Sequence, residues 1–191
     1  MSDTVKVRMH LKLDGEDDTH PIDIIVHPEW APLGAARFVE LIDANYFDEC
    51  LLYRVVNGFI VQWGIPASPA EWKKWGANKI KDDPVKQKNL AGTLSFATSG
   101  EDSRGSQIFV NMADNSSDGR ALGGSDGSLD NQGFAPFAEL ANIDDIKIFA
   151  KCHMPKGLAG VDQDDFKERG NAYALKYFPK LAKWTGAEKM S

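Results

Sequence analysis

The residue in this sequence best suited to chemistry is Arg54, which lies in the apolar stretch from Leu52 to Gly64, LYRVVNGFIVQWG. A permanently charged guanidinium among apolar residues must find a partner, reach water or bind a ligand. Beside Phe59 and Ile60, it can bind a backbone carbonyl and an apolar ring together. The alternative is an arginine that reaches solvent from a half-buried strand. These residues alone leave both interpretations open.

The same stretch predicts a β-hairpin. Two runs rich in β-branched residues meet at Asn57-Gly58, a dipeptide that tolerates the positive φ angles of a tight turn. A two-residue turn at this dipeptide would pair Arg54 with Val61 rather than with Gln62. The two polar side chains can meet only if the hairpin contains a bulge or a wider turn.

The remaining pattern is mostly of short strands. Period-two alternation or β-rich composition predicts strands over residues 5–13, 22–26, 92–98, 107–113 and 134–140, with a last extended piece around 177–184. Residues 65–90 and 114–133 are predicted to be loops, the second on the surface, and a polar segment is expected to end near Gly170. This pattern is typical of a closed or nearly closed antiparallel barrel.

Two helices complete the predicted elements. Residues 31–44 have Pro32 near their start and apolar residues at helical spacing. Asn142 and Asp145 resemble a capping box, which predicts a helix that buries Ile143, Ile146 and Phe149.

Composition excludes several classes of function. The chain has 191 residues, of which 42% are hydrophobic and 26% charged, and its net charge is −6. Nucleic-acid binding would need a basic patch. The one lysine-rich segment, with Lys73, Lys74, Lys79, Lys81 and Lys86, also contains Asp82 and Asp83 and is interpreted as a solvated face. We expect no nucleic-acid partner.

Location and redox state follow from the same inventory. No stretch resembles a signal sequence or the roughly 20 apolar residues of a membrane helix, so we expect a soluble, cytoplasmic monomer without a membrane partner. Cys50 and Cys152 are too few for a disulfide framework and are expected to be reduced and partly buried.

Two segments in order, YRVVNGFIVQWG at 53–64 and GTLSFATSGEDSRGSQIFVN at 92–111, closely resemble the signature of the cyclophilin family of peptidyl-prolyl cis-trans isomerases. The resemblance extends from the first strand to Leu140. It implies a mainly β fold, a closed eight-stranded antiparallel barrel capped by two α-helices, with the substrate groove on the outer face. We expect one such domain over residues 1–191, with a C-terminal extension from about residue 155.

The resemblance also implies an activity and a site. It implies isomerisation of Xaa-Pro bonds in client proteins, assisting folding or conformational switching, with Arg54 as the catalytic residue. No bond is broken, so no cofactor or metal is required. The remaining implied residues contact the proline ring, the peptide or the arginine; they are Phe59, Ile60, Gln62, Ala97, Thr98, Gln107, Phe109, Leu129 and Phe134.

Four positions depart from the family pattern. Ser128 stands where a tryptophan is common, Phe134 where a histidine is common, Thr98 for asparagine and Trp63 for glycine. Because loss of the tryptophan weakens binding of the cyclic peptide cyclosporin more than isomerisation, we expect a working isomerase with reduced affinity for cyclosporin-like peptides.

Other functions have weaker support. Residues 114–125 partly imitate a calcium loop, but the last ligand position holds Ser125, so a plain acidic turn is the favoured interpretation. The four histidines lack zinc-ligand spacing. The main rival is a catalytically weak module or scaffold that binds proline-containing peptides through the same fold.

Overall fold

Eight β-strands form one antiparallel sheet in the computed structural model, which describes residues 4–116, 127–155 and 160–190. In chain order they are β1 (Val5–Lys12), β2 (His20–Val26), β3 (Arg54–Val56), β4 (Ile60–Trp63), β5 (Thr93–Phe96), β6 (Ile108–Asn111), β7 (Pro136–Leu140) and β8 (Lys183–Lys189). Their order across the sheet is β3-β4-β6-β5-β7-β2-β1-β8.

Helical segments lie between the strands. They are α1 (Pro32–Asp43), α2 (Pro69–Glu71), a π-helical turn (Trp72–Gly76), a 3-10 turn (Ile143–Asp145), α3 (Ile146–Phe149), α4 (Gln163–Arg169) and α5 (Asn171–Tyr177). None of the helices in the described ranges is long and apolar enough to cross a bilayer.

Alternating side chains explain how the sheet forms its core. In β1, Val7, Met9 and Leu11 are fully buried, while the residues between them reach solvent in part. In β2, Ile22, Ile24 and Val26 are buried in the same alternating way, and the two strands pair from Val5 opposite Val26 to Leu11 opposite His20. One face of the sheet thus encloses a single large apolar cluster, which α1 covers with Phe38 and Leu41.

The predicted eight antiparallel strands are confirmed, but closure of the barrel is not. The ladder begins at β3 and ends at β8, and the two ends meet through one isolated bridge between Leu51 and Lys183. Two backbone hydrogen bonds of 2.9 Å flank the bridge, from Leu52 to Ala182 and from Trp184 to Cys50. The prediction of two capping helices is not confirmed either, because the helical residues outside α1 form several short segments.

Three local predictions were wrong. The extended piece expected around 177–184 begins six residues later, because α5 continues to Tyr177 and β8 starts at Lys183. Ile143 is 54% exposed, since the turn after Asn142 is a short 3-10 segment that points this side chain outward. The prediction of a surface loop at 114–133 was wrong for Asn115 and Leu129, which are buried, whereas residues 131–133 are exposed as predicted. Most of the calcium-loop imitation lies outside the described residues.

A second, smaller apolar cluster joins the C-terminal segment to the sheet. Tyr53, next to β3, packs its ring edge-on against Phe166 of α4, with centroids 5.8 Å apart. Val161 and Leu181 complete the contact. Both cysteines, Cys50 and Cys152, are free and buried. The residues that follow the family-like region therefore pack directly beside the central hairpin.

Asp83 connects the long excursion between β4 and β5 to the rest of the fold. Its buried carboxylate accepts hydrogen bonds from the backbone N–H groups of Leu33 and Gly34 at the start of α1, at 3.1 and 2.8 Å. It also accepts one from Arg104 Nη1 at 3.0 Å, and both charged side chains are almost fully buried. A carboxylate at this helix end satisfies free donors and opposes the positive end of the helix dipole.

We expect Asp83→Asn to lower the free energy of unfolding by about 3 kcal/mol, because it leaves a buried guanidinium without its closest charge partner. Asp144→Asn is the matched control, since Asp144 forms an exposed pair with Lys147 and should cost under about 0.5 kcal/mol. Urea unfolding of the three proteins measures the difference. Equal losses for the two variants would show that the buried pair does not stabilise the fold.

Candidate functional site

The central hairpin has the wider turn that Arg54 and Gln62 require in order to meet. Arg54 pairs with Gln62, Val55 with Val61 and Val56 with Ile60, which leaves three residues in the turn. Gly58 adopts a φ of 69° there, in the left-handed region that costs glycine little. The register therefore places the arginine directly opposite the glutamine.

Alternation along β4 decides which side chains face outward. Val61 and Trp63 point into the main core, whereas Ile60 and Gln62 lie on the other face of the sheet. In β6, Phe109 shares this outer face. The site is therefore on the outside of the sheet, as the family resemblance implies.

A chain of hydrogen bonds orients Arg54. Its Nη1 donates to Gln62 Oε1 at 3.1 Å, and Gln62 Nε2 donates to the Tyr53 hydroxyl at 2.7 Å and to Gln107 Oε1 at 3.1 Å. The Tyr53 hydroxyl in turn donates to Gln107 Oε1. Among the described residues, Gln62 is the only hydrogen-bond acceptor of the guanidinium, so its other N–H groups are available to a ligand.

The Tyr53 hydroxyl fixes the direction of this chain. Burial raises its pKa well above the ordinary value, so it stays a donor throughout the physiological pH range. Since it donates to the oxygen of Gln107, the amide nitrogen of Gln107 is turned away and meets no acceptor among the described residues. Arg54 and Gln107 can both donate to a peptide bound beside them.

An apolar pocket adjoins these donors. Ile60, Phe109 and Leu129 form a buried cluster of their own, and Phe59 and Phe134 pack against it. The rings of Phe109 and Phe134 meet edge-on, with centroids 5.5 Å apart. A pocket of this composition accepts a small apolar ring and offers it no polar partner.

Buried asparagines hold the backbone of the pocket wall. The side-chain Nδ2 of Asn115 donates to the main-chain carbonyl of Phe59 at 2.9 Å, and the main-chain carbonyl of Asn115 accepts from Leu129 N at 3.0 Å. Asn89 Nδ2 donates to the Phe134 carbonyl at 2.8 Å. Phe59 is thus fixed relative to the distant segment that holds Leu129 and Phe134 through two buried asparagines.

All predicted site residues line one open cleft of about 480 Å³. The set comprises Arg54, Phe59, Ile60, Gln62, Ala97, Thr98, Gln107, Phe109, Leu129 and Phe134. The guanidinium does not enter the packed interior of the sheet. The roles assigned to these residues remain predictions.

Several lining residues were missed by the sequence analysis. Trp72 and Lys79 come from the excursion after β4, and Gln163 and Lys167 come from α4. Lys79 is exposed, as the interpretation of its segment as a solvated face implies, but it also lines the cleft, which the sequence analysis did not predict. Tyr53 was also missed, although its position beside Arg54 was a usable signal.

The departures from the family pattern have different consequences. Trp63 is fully buried in the core, where it stacks near Phe149 and meets Trp184 edge-on, so it does not alter the cleft. The Thr98 hydroxyl donates to Gly100 O at 2.5 Å and is occupied within its own loop. The Ser128 hydroxyl is buried and accepts from a backbone N–H, so residue 128 contributes no side chain to the cleft.

The described residues offer no group of three or more histidine, cysteine or acidic side chains placed to hold a metal ion. Around Arg54 the cleft provides a cationic donor, a neutral donor in Gln107 and an apolar pocket. Such a set can bind and polarise a peptide.

Comparisons with known proteins agree with this geometry. The family model for cyclophilin type peptidyl-prolyl cis-trans isomerase/CLD matches residues 9–142. This match covers most of the described sheet and every predicted site residue. The chain belongs to the cyclophilin-type peptidyl-prolyl cis-trans isomerase family.

Individual relatives are more distant. Peptidyl-prolyl cis-trans isomerase A of Dickeya dadantii is 34% identical over 101 residues, which cover 49% of this chain and 50% of the relative. Peptidyl-prolyl cis-trans isomerase B of Bacillus subtilis is 31% identical over 94 residues, covering 49% and 66%. The matched regions thus span about half to two thirds of the length of these relatives.

Solved structures support the fold over nearly the whole chain. A cyclophilin type peptidyl-prolyl cis-trans isomerase of Cryptosporidium parvum superposes with a TM-score of 0.65 at 16% identity, covering 99% of both chains. The same protein crystallised in the presence of the dipeptide Ala-Pro gives 0.63, covering 97% of this chain and 99% of the other.

We expect Tyr53→Phe to lower the free energy of unfolding by about 1–2 kcal/mol, because it removes one partner from each of two glutamine amides in a largely buried network. Tyr177→Phe is the matched control, since Tyr177 is 53% exposed. Urea unfolding midpoints measure both. If Tyr53→Phe were as stable as the control, the hydroxyl would not be holding the network together.

Proposed function

We propose that this protein is a peptidyl-prolyl cis-trans isomerase that acts on Xaa-Pro bonds in client proteins. The observation that carries the proposal is the half-buried Arg54 guanidinium, held by Gln62 beside the apolar pocket in one open cleft. Family membership and relatives named as isomerases support it.

The chemistry of the reaction matches these groups. Rotation about a prolyl amide is slow because the C–N bond has partial double-bond character, with a barrier of about 18–20 kcal/mol. A hydrogen bond from Arg54 near the prolyl nitrogen favours the twisted state, in which the nitrogen lone pair is no longer shared with the carbonyl. The proline ring is held against Phe109 and Leu129 while the preceding carbonyl rotates.

Preorganised charge supplies the rate gain in this scheme. A millionfold acceleration corresponds to about 8 kcal/mol. A guanidinium already fixed by Gln62 does not have to reorganise as the amide twists, so its interaction with the transition state is retained in full. Arginine suits this role because its planar fork can contact a neighbour and the substrate together.

The proposal extends to the whole chain and its setting. We propose one domain with a barrel effectively closed at the Leu51–Lys183 bridge, since β8 pairs with β1 and α4 packs on the hairpin. Assistance to folding or conformational switching, a monomeric state and a cytoplasmic location remain proposals from the sequence.

We expect Arg54→Ala to lower kcat/KM by about 100-fold or more, the usual loss when a transition-state donor is removed. Arg54→Lys should restore only part of the activity. Arg8→Ala is the control, because Arg8 pairs with Asp23 on β2 and does not line the cleft. The measurement is a protease-free assay of cis-to-trans conversion on an Ala-Pro peptide.

Equal activity in wild type and Arg54→Ala would remove the proposed mechanism. Peptide binding without turnover in wild type would instead identify the protein as a proline-peptide binding module.

We further propose that cyclosporin-like cyclic peptides bind weakly, because residue 128 presents no indole to the cleft. The expected inhibition constant for cyclosporin is above about 1 μM, which corresponds to a binding free energy weaker than about −8 kcal/mol. A family member that carries the tryptophan, assayed in parallel, is the control. Sub-micromolar inhibition of this protein contradicts the prediction.

A further inference from the structure

The cleft extends beyond the apolar pocket to a basic end formed by Trp72, Lys79 and Lys167. We call these three residues the basic end. Trp72 opens the π-helical turn, Lys79 follows it in the excursion, and Lys167 belongs to α4 in the C-terminal segment. Two parts of the chain that are nearly a hundred residues apart meet here.

The tryptophan ring fixes both lysines. Lys79 Nζ and Lys167 Nζ each lie 5.4 Å from the centroid of the Trp72 ring. Lys79 Nζ also donates to the Gly76 carbonyl at 2.7 Å. Lys167 Nζ donates at 3.0 Å to Asp164, whose side chain is 90% exposed and does not line the cleft. Both ammonium groups are therefore positioned before any ligand arrives.

The charge of the cleft is opposite to that of the protein. The chain carries a net charge of −6, yet the described residues that line the cleft include Arg54, Lys79 and Lys167 and no aspartate or glutamate. Burial lowers the pKa of Lys79, and the nearby charges of Lys167 and Arg37 lower it further. A concave surface lined by one sign of charge concentrates the field and attracts ligands of the other sign.

From this arrangement we propose that the basic end binds an anionic side chain of the client, a carboxylate or a phosphate, carried close to the proline. The inference rests on the proposed function in so far as the cleft binds Xaa-Pro segments. It adds a preference for acidic or phosphorylated segments. Lys79 and Lys167 are the residues that determine this specificity.

The chemistry favours an anion over other occupants. A basic side chain of the client would be repelled by the three cations that line the cleft. A neutral one would leave the repulsion between Lys79 and Lys167, which the exposed Asp164 offsets only in part, without further relief. An anion offsets that repulsion and accepts hydrogen bonds from both ammonium groups. A phosphate, with up to two charges and three acceptor oxygens, should gain more than a carboxylate.

The test compares Xaa-Pro peptides that differ only by glutamate or glutamine at successive positions on either side of the proline. At low ionic strength we expect kcat/KM to be about three- to fivefold higher for glutamate at one or more positions, the gain of a partly exposed ion pair. The preference should weaken as salt is added. A phosphoserine series, compared with serine, distinguishes phosphate from carboxylate as the better ligand.

Variants assign the preference to the basic end. The double variant Lys79→Gln/Lys167→Gln should bring the glutamate-to-glutamine ratio to about one. The control, Lys74→Gln/Lys176→Gln, removes one lysine from each of the same two parts of the chain outside the cleft and should keep the wild-type ratio. The double variant Lys79→Glu/Lys167→Glu, which makes the net charge of the cleft lining negative, should reverse the preference and favour a lysine peptide over its glutamine counterpart. A misfolded variant cannot gain such a preference.

Binding of fluorescent forms of the same peptides separates this inference from the proposed function. If wild type binds the glutamate peptides more tightly but turns over none of them, the proposed function fails and the inference stands. A ratio of about one at every position, in both the glutamate and the phosphoserine series, overturns the inference while isomerase activity survives. A ratio unchanged in the double glutamine variant also overturns it.

Discussion

The hydrogen bond between Arg54 and Gln62 depends on the length of the hairpin turn. With three residues in the turn, the arginine stands opposite the glutamine on the outer face of the sheet. A turn shorter by one residue would shift the register and turn Gln62 away from its partner. The position of Arg54 beside the apolar pocket is therefore decided by the backbone of a few residues around Gly58.

Tyr53 connects that donor to the rest of the molecule. Its hydroxyl belongs to the chain that orients Gln62 and Gln107, while its ring packs against Phe166 of α4. Burial raises the pKa of the Tyr53 phenol, and residues of the C-terminal segment contribute to that burial. The segment beyond the family match thus packs against Tyr53, which orients the site residues. One residue of this segment, Lys167, lines the cleft directly.

What the sequence could and could not predict follows from the range of the interactions involved. The hairpin, the two N-terminal strands and α1 were predictable because alternation, turn chemistry and helical spacing are local signals. The cleft residues of β4 and β6 were predicted from the family resemblance, and alternation places them on one face. β8 was misplaced because KWTGAEK has a glycine and no clean alternation, and its strand form depends on pairing with β1.

The basic end had no local signal at all. Lys79 lies in a segment rich in lysine and aspartate, and Lys167 in a polar helix, so each alone is typical of a solvated surface. The two lysines come together only in the folded chain, where both ammonium groups lie near the ring of Trp72. The proposed specificity would come from the least regular parts of the chain, which is where such functions commonly lie.

The isomerisation proposed for this chain breaks no bond, so rigidity is its main structural requirement. If the donor group had to move as the amide twists, the cost of that reorganisation would reduce the stabilisation of the twisted state. The buried asparagines meet this requirement, since Asn115 ties the backbones of Phe59 and Leu129 together and Asn89 holds Phe134. The buried Asn89 and Asn115 do not line the cleft, so the chain fixes its pocket wall from within and leaves the cleft surface free for a ligand.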